Sequence, residues 1–362
     1  MIEGWCKAKD GTSIYYKVEG EGIPLVMSDG IGCDGYAWTH LIPFFKDRFK
    51  TVHWHYRGHG RSEMPHDMNL LSTRDLCEDL NCIFEELNLE PAVLLGHSMG
   101  VQVVLEFWHM FPEKVRGLIP VNGSYGNPLD TFHDNKLLAT LFPYLKDFSM
   151  KHTSLVQRFW EVLVPSELAM NIALQFEVNK HHIKRDEFKP YFDHIGHIDV
   201  ELFLRMLEKA QGHTAKPYLP EIDVPTLVVG GEKDTFTPGW LSRQMARLIP
   251  NSQLLMVPEG SHTALIEIPE LFLLRVEKFL EQKIIPQEEY KKSKPTQTAK
   301  PKSKAAPKAK SPKPKATSKT SKAKPAKAKK AAPVKVVKSA KAGTKAKSAA
   351  KAPSKTKKAA AQ

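Results

Sequence analysis

The stretch VLLGHSMGVQVVLEFW, from Val93 to Trp108, joins a short apolar run to an apolar-faced helical run through Gly96-His97-Ser98-Met99-Gly100. A Gly-x-Ser-x-Gly pattern alone arises by chance in roughly one chain in ten of this length, so its position between a strand and a helix is what gives it meaning. A turn this tight strains the backbone at the central residue, and small glycines on either side relieve the crowding. It also lifts the serine hydroxyl out of a sheet and sets it at a helix N-terminus, whose positive end favours developing negative charge. Ser98 is therefore the candidate nucleophile.

Working outward, apolar runs recur as IPLVMS (23–28), TVHWHY (51–56), AVLLG (92–96), LIPVNG (118–123), TLVVGG (226–231) and QLLMVP (253–258). Runs of this length, apolar on both alternating faces, predict strands buried in a parallel sheet. Helical signals lie between them. The clearest is Ser72 to Leu87, with a capping-box spacing at Ser72 and Asp75 and an apolar face of Leu76, Leu80, Ile83, Phe84 and Leu87. The alternation predicts an α/β fold, a mostly parallel sheet with helices on both faces. Between about Pro128 and Pro220 the pattern is helical only, with starts expected at Ser166 and Asp199 and interruptions at Pro143, Pro165 and Pro190. That organisation reads as a core of residues 1–127 and 222–286 carrying a helical cap, 128–221, laid over one edge of the sheet.

The 362 residues carry 53 Lys and Arg against 40 Asp and Glu, a net charge of +13 that is unevenly spread. From Tyr290 to Gln362 there are 25 Lys and no Arg, Asp or Glu, so this end carries +25 and residues 1–289 carry −12. Beyond Tyr290 there is no aromatic residue and almost nothing apolar larger than Ala, so 287–362 is expected to be a disordered basic tail. No apolar run approaches the ~20 residues of a membrane helix, and the N-terminus lacks a signal-peptide pattern. A soluble cytoplasmic protein is expected. Cys6, Cys33, Cys77 and Cys82 fit neither a disulfide framework nor a zinc pattern and are expected to be buried free thiols.

A serine hydroxyl needs a base, and the base needs an orienting partner. Gly230-Gly231-Glu232-Lys233-Asp234 ends one strand run and Gly260-Ser261-His262 follows the next. Asp234 is the candidate acid, with Glu232, closer to the strand, as the alternative; His262 is the candidate base. The chain order Ser98, Asp234, His262 is that of a strand-to-helix nucleophile elbow architecture.

From about Trp5 to Gln282 the sequence resembles the α/β-hydrolase superfamily, in its branch with a Ser nucleophile and a helical cap between the sixth and seventh strands. The resemblance rests on the elbow, on Arg57-Gly58-His59-Gly60-Arg61-Ser62, on Asp234 with Thr237-Pro238, and on Gly260-Ser261-His262. It implies an eight-stranded sheet and an oxyanion hole made by the backbone N–H groups of Met99 and Ile31. The family's usual His in the oxyanion loop is Asp29 here, within Ser28-Asp29-Gly30-Ile31-Gly32. Backbone donors do not depend on that side chain, but an ionised Asp29 facing the pocket would oppose a negatively charged substrate.

Ser at the elbow excludes the epoxide and halide chemistries that relatives perform with Asp at that position. Acyl transfer to water remains, on a small ester-type substrate: a carboxylic ester, thioester or lactone. Carbon–carbon (meta-cleavage type) hydrolysis and cofactor-free haloperoxidase-type esterase activity are the alternatives in the same class. An inert hydrolase-fold scaffold serving a nucleic-acid-associated protein is the alternative of another class. No cofactor and no metal are expected; His181, His182, His194 and His197 read as polar cap surface. Aromatic residues between Phe132 and Phe203 supply surface for an apolar pocket, most of it accounted for by helix packing.

The tail looks like the C-terminal tails of linker histones. Its Lys-only charge gives point contacts, so it is expected to bind polyanions without sequence specificity, with nucleic acid, polyphosphate and anionic membranes as candidate partners and nucleoid association as one outcome. If about 10 lysines contact phosphates, log K for duplex DNA falls with log salt at a slope of about −9. A gel-shift series is expected to show retardation by the full chain and none by residues 1–289 at moderate salt. Equal retardation by both, or by neither, contradicts this reading of the tail.

Overall fold

The computed structural model describes residues 1–176 and 185–285. The basic tail therefore lies outside the described residues. Strands β1 (Ile2–Lys7), β2 (Ser13–Glu19) and β3 (Pro24–Ser28) are followed by the short helix α1 (Leu41–Phe45), then β4 (Lys50–Trp54), α2 (Thr73–Glu86), β5 (Ala92–His97), α3 (Gly100–Met110) and β6 (Val115–Val121). Helices α4 (Pro128–Thr131), α5 (Leu137–Lys151), α6 (Thr153–Leu163), α7 (Glu167–Phe176), α8 (Arg185–Gly196) and α9 (Val200–Gln211) come next. The core resumes with β7 (Thr226–Gly231), α10 (Gly239–Leu248), β8 (Ser252–Val257), α11 (Ala264–Glu267) and α12 (Pro269–Phe279).

The strands form one eight-stranded sheet in the order β1-β2-β4-β3-β5-β6-β7-β8. From β4 to β8 all neighbours are parallel; β1 and β2 pair antiparallel at one edge. The parallel strands β4, β3, β5, β6 and β7 are buried on both faces because consecutive apolar side chains serve opposite cores, while β8, at the sheet edge, is only partly buried. Val26 and Leu94 join one cluster with α2 and α3, while Leu25, Met27, Val93 and Leu95 join the other with α1 and α12. Each such fully buried Val or Leu contributes about 2 kcal/mol relative to exposure. All six apolar runs are strands, with ends displaced by a few residues; TVHWHY, for example, leaves the sheet after Trp54. The edge strand β1 is mostly exposed, and its neighbour β2 interrupts buried Tyr16 and Val18 with Lys17 and Glu19, so neither has a continuous apolar signature.

Helix α2 starts as its sequence requires. The Ser72 hydroxyl accepts from the Asp75 N–H at 3.3 Å, and the Asp75 carboxylate accepts from the Ser72 N–H at 2.8 Å. Asp199 likewise accepts from the Leu202 N–H at 2.8 Å and caps α9, and the Ser166 hydroxyl accepts from the Ala169 N–H at 3.2 Å ahead of α7. Pro165 separates α6 from α7, but two expected interruptions are absent: α5 runs through Pro143 and α8 through Pro190. An interior proline removes one N–H and crowds the carbonyl four residues back. In α5 that carbonyl belongs to Ala139, on a half-exposed turn, and the helix carries on. Cys6, Cys33 and Cys77 are buried free thiols; Cys82 differs in being only half-buried, its Sγ on the α2 flank 3.2 Å from the Lys7 carbonyl.

Replacing Ser72 with Ala removes half of the capping box. Urea unfolding of Ser72→Ala is expected to show a loss of about 1 kcal/mol with an unchanged m-value.

Candidate active site

Ser98 sits where β5 ends and α3 begins, with φ +56°. A non-glycine residue in this left-handed region is strained and needs its surroundings to hold it. The elbow glycines let backbones close in. A Cβ on Gly96 would lie 2.2 Å from the Gly100 carbonyl oxygen, and one on Gly100 would lie 2.2 Å from that of Ser28. The Ser98 N–H donates to the Val121 carbonyl at 3.1 Å, tying the elbow to β6.

The ends of β5, β7 and β8 bring the three candidates together. The Ser98 hydroxyl donates to His262 Nε2 at 3.0 Å, and His262 Nδ1–H donates to Asp234 at 3.0 Å (Oδ2) and 3.2 Å (Oδ1). Asp234 is buried and also accepts from the N–H groups of Phe236 and Thr237, from the Thr237 hydroxyl and from Asn122 Nδ2, all at 2.8–3.0 Å. Burial alone would raise the Asp234 carboxyl. The charge of His262 and these hydrogen bonds outweigh it and hold the group below the ordinary carboxylate range. Glu232, the alternative acid, is exposed and lies 4.0 Å from Arg243.

Sequence reasoning did not find the residues that position these three. Asn122, at φ +44° beyond β6, bridges Asp234 and the Ser261 carbonyl (2.8 Å). Glu267 in α11 is buried and accepts from the Ser261 N–H (2.8 Å) and the Thr263 hydroxyl (3.1 Å), on either side of His262. The signal for Asn122 was present: a polar residue closing the apolar run LIPVNG.

The loop after β3 faces the elbow. Asp29 is buried and turned away from the pocket, its Oδ2 2.7 Å from His53 Nε2, while the Tyr56 hydroxyl donates to its carbonyl at 2.6 Å. It therefore does not present a charge to substrate. The Gly32 N–H donates to His59 Nε2 at 3.0 Å, and His59 Nδ1–H donates to the Arg57 carbonyl at 3.1 Å. Arg57 in turn holds Asp79 of α2 through Nε (2.8 Å) and Nη2 (2.6 Å). The Arg57 to Ser62 motif thus braces the loop carrying Ile31 against α2. Among the described residues, neither the Ile31 nor the Met99 backbone N–H donates to another protein group.

Two cavities meet at Ser98 and share Ile31, Ser98, Phe203, Phe236 and His262. The smaller, about 280 Å³, is walled by Met99, Leu129, Phe132, Leu138 and Leu207 among others. The larger, about 480 Å³, runs under α6, α7 and α8 past Trp160, Leu168, Ile172 and Phe192. Among the described residues, neither has a Lys or Arg in its lining. Burial pushes the Cys33 thiol of the larger lobe well up, keeping it neutral. Among the described residues no His, Cys, Asp and Glu group is arranged to hold a metal ion. His194 lies 3.3 Å from Asp34, and His197 donates to the Asp193 carbonyl; His181 and His182 are outside the described residues.

Eight strands in this order, a helical segment between β6 and β7, and a Ser–His–Asp chain at the strand ends define an α/β hydrolase. A family model described as serine aminopeptidase, S33, matches residues 36–269, and the chain belongs to this family of hydrolases. It is 24% identical over 269 residues to a protein of Azorhizobium caulinodans named "Putative carbamate hydrolase RutD", covering 72% of this chain and 91% of that one. To ABHD8 of Bos taurus it is 27% identical over 262 residues, 71% of this chain but 56% of ABHD8. The bromoperoxidase structure from Bacillus anthracis shares the fold with a TM-score of 0.65 at 18% identity, covering 78% of this chain and 100% of that one. Among the described residues no helix is long and apolar enough to cross a membrane.

Buried imidazoles around the site set a pH dependence. Burial, with the neighbouring imidazoles of His53 and His262 adding to it, lowers His55 to about 3 and His97 to about 4; burial lowers His59 to about 4. Unfolded histidine titrates near ~6.5, so between about pH 6.5 and 4 the unfolded chain binds protons that the folded chain refuses. Stability is present above that window and lost as pH falls through it. The urea midpoint is expected to drop between pH 6.5 and pH 4; a flat profile across that range contradicts a neutral, buried histidine set.

Proposed function

We propose that the protein is a serine hydrolase that cleaves a neutral, largely apolar carboxylic ester, thioester or lactone through an acyl-enzyme on Ser98. The observation that carries this reading is the chain Ser98–His262–Asp234 at hydrogen-bond distances, opening on two apolar lobes. Ser98 Oγ attacks the acyl carbonyl while His262 Nε2 takes its proton and passes it to the departing alcohol or thiol. Asp234 fixes the Nδ1–H tautomer and stabilises the imidazolium. Water, deprotonated by the same imidazole, then releases the acid. The N–H groups of Ile31 and Met99 receive the oxyanion, each such donor lowering the barrier by about 3 kcal/mol.

Several features favour a neutral substrate over the carboxylate-bearing dienones of carbon–carbon hydrolases. Among the described residues no cationic side chain lines either lobe to pair with a carboxylate, and the lobe walls are mostly aliphatic and aromatic. In this reading the helical segment 128–221 is the cap that selects substrate, with Phe203 and Phe132 lining the smaller lobe beside Ser98. The lysine-rich tail, on its charge alone, is a non-specific polyanion-binding segment that localises the enzyme.

A fluorophosphonate probe tests the chemistry. Wild type is expected to take up label that Ser98→Ala loses, and hydrolysis of p-nitrophenyl esters by Ser98→Ala is expected to fall by about 10⁴-fold or more. Equal labelling of the two proteins contradicts the role of Ser98.

A further inference from the structure

Three cap helices turn apolar faces to the outside. On α5, Leu137, Leu141, Tyr144, Leu145 and Phe148 recur at i, i+4, i+7, i+8 and i+11, and all are exposed. On α6 the same spacing places Leu155, Phe159, Val162 and Leu163 on one exposed face, and on α7 Leu168 and Ile172 follow it. Tyr144 and Val162 are each 74% exposed. Contiguous apolar helix faces of this extent mark a surface that something apolar covers.

The position and charge of this face indicate its partner. Leu163, Leu168 and Ile172 are exposed and also line the larger lobe, so the apolar surface continues from the outside into the cavity that reaches Ser98. Residues 136–176 carry Lys136, Lys146, Lys151 and Arg158 against Asp147, Glu161 and Glu167; Lys146 pairs with Glu208 at 2.6 Å, which leaves Lys136, Lys151 and Arg158 as the cations beside the face, within a region, 1–289, of charge −12. Apolar helix faces rich in Leu and aromatic residues, flanked by cationic side chains, have the composition of helices that lie in a bilayer interface. The chain also carries 25 lysines after Tyr290, a second signal for an anionic surface.

We propose that the α5–α7 face of the cap docks on an anionic lipid bilayer, admitting apolar substrate from the membrane to the larger lobe. Docking itself stands independently of the chemistry proposed for Ser98; only the delivery of substrate rests on it. Apolar burial holds the cap at the interface, while the lysines add a salt-sensitive attraction. Stable attachment takes two such signals, because one alone gives weak, reversible binding.

The test uses the full chain and vesicles of phosphatidylcholine with or without phosphatidylglycerol. Wild type is expected to co-sediment with the anionic vesicles, and to retain measurable partitioning at about 0.5 M salt, where lysine attraction is screened. The triple variant Phe148→Asp, Phe159→Asp, Val162→Asp changes no residue that lines either lobe. Its partitioning at that salt is expected to fall roughly tenfold or more, with hydrolysis of a water-soluble p-nitrophenyl ester unchanged, which shows the variant folded. As a second reading, Phe159→Trp is expected to add tryptophan emission that shifts to the blue with vesicles. Equal partitioning of wild type and triple variant, or an unshifted Phe159→Trp, overturns the proposal. So does a stable dimer without lipid that the triple variant dissociates, since the face would then be covered by a second copy.

Discussion

The left-handed backbone at Ser98 is the constraint on which the rest of the structure depends. A serine holds φ +56° only if the chain before and after it turns within van der Waals contact of itself. Gly96 and Gly100 permit this, since a methyl group at either would collide with a backbone oxygen at 2.2 Å. β5 must also lie between β3 and β6, because the Val121 carbonyl receives the Ser98 N–H and the Ser28 carbonyl backs Gly100. The central position of β5 in the sheet and the geometry of Ser98 are thus one requirement.

Around this point the fold spends buried polar groups on position. Asp234 is desolvated yet held below the ordinary carboxylate range, because His262, Asn122, Thr237 and two backbone N–H groups all address its oxygens. Glu267 holds the segment on both sides of His262, and His59 with Arg57 and Asp79 holds the loop bearing Ile31. Asp234, Thr237, Glu267, His59, Arg57 and Asp79 are buried and hydrogen-bonded, the condition under which a polar network rigidifies a site. The cap works in the opposite sense. Its helices contribute apolar side chains to two lobes, and much of their apolar surface faces outward.

How much of this was legible follows from the range of the physics involved. Strands β3 to β7 were readable because burial on both faces leaves a continuous apolar run, β8 because its run stays apolar although it lies at the sheet edge, and α2 because its capping box is a local bond pattern. Strands β1 and β2 were not, since β1 is mostly exposed and β2 interrupts its buried residues with Lys17 and Glu19. Pro143 and Pro190 misled because a proline's local preference for ending a helix does not by itself decide where one ends; α5 and α8 each continue through one. Ser98, Asp234 and His262 were nameable from chain order and their positions at strand ends. Asn122 and Glu267 were not, because their roles consist in reaching segments more than a hundred residues away or across a turn.

The sequence by itself determined the α/β class, the elbow at Ser98, the candidate acid and base for it, and the division of charge into −12 and +25. All of these are set by residue type and near-neighbour spacing. Only the tertiary structure decided that Asp29 turns to His53 and leaves the pocket uncharged, that two apolar lobes converge on one serine, and that the faces of α5, α6 and α7 are left uncovered among the described residues. Those outcomes depend on which distant surfaces are brought into contact. The apolar spacing along a helix shows that a face exists, and the packing of the whole chain decides whether that face meets the core or the outside.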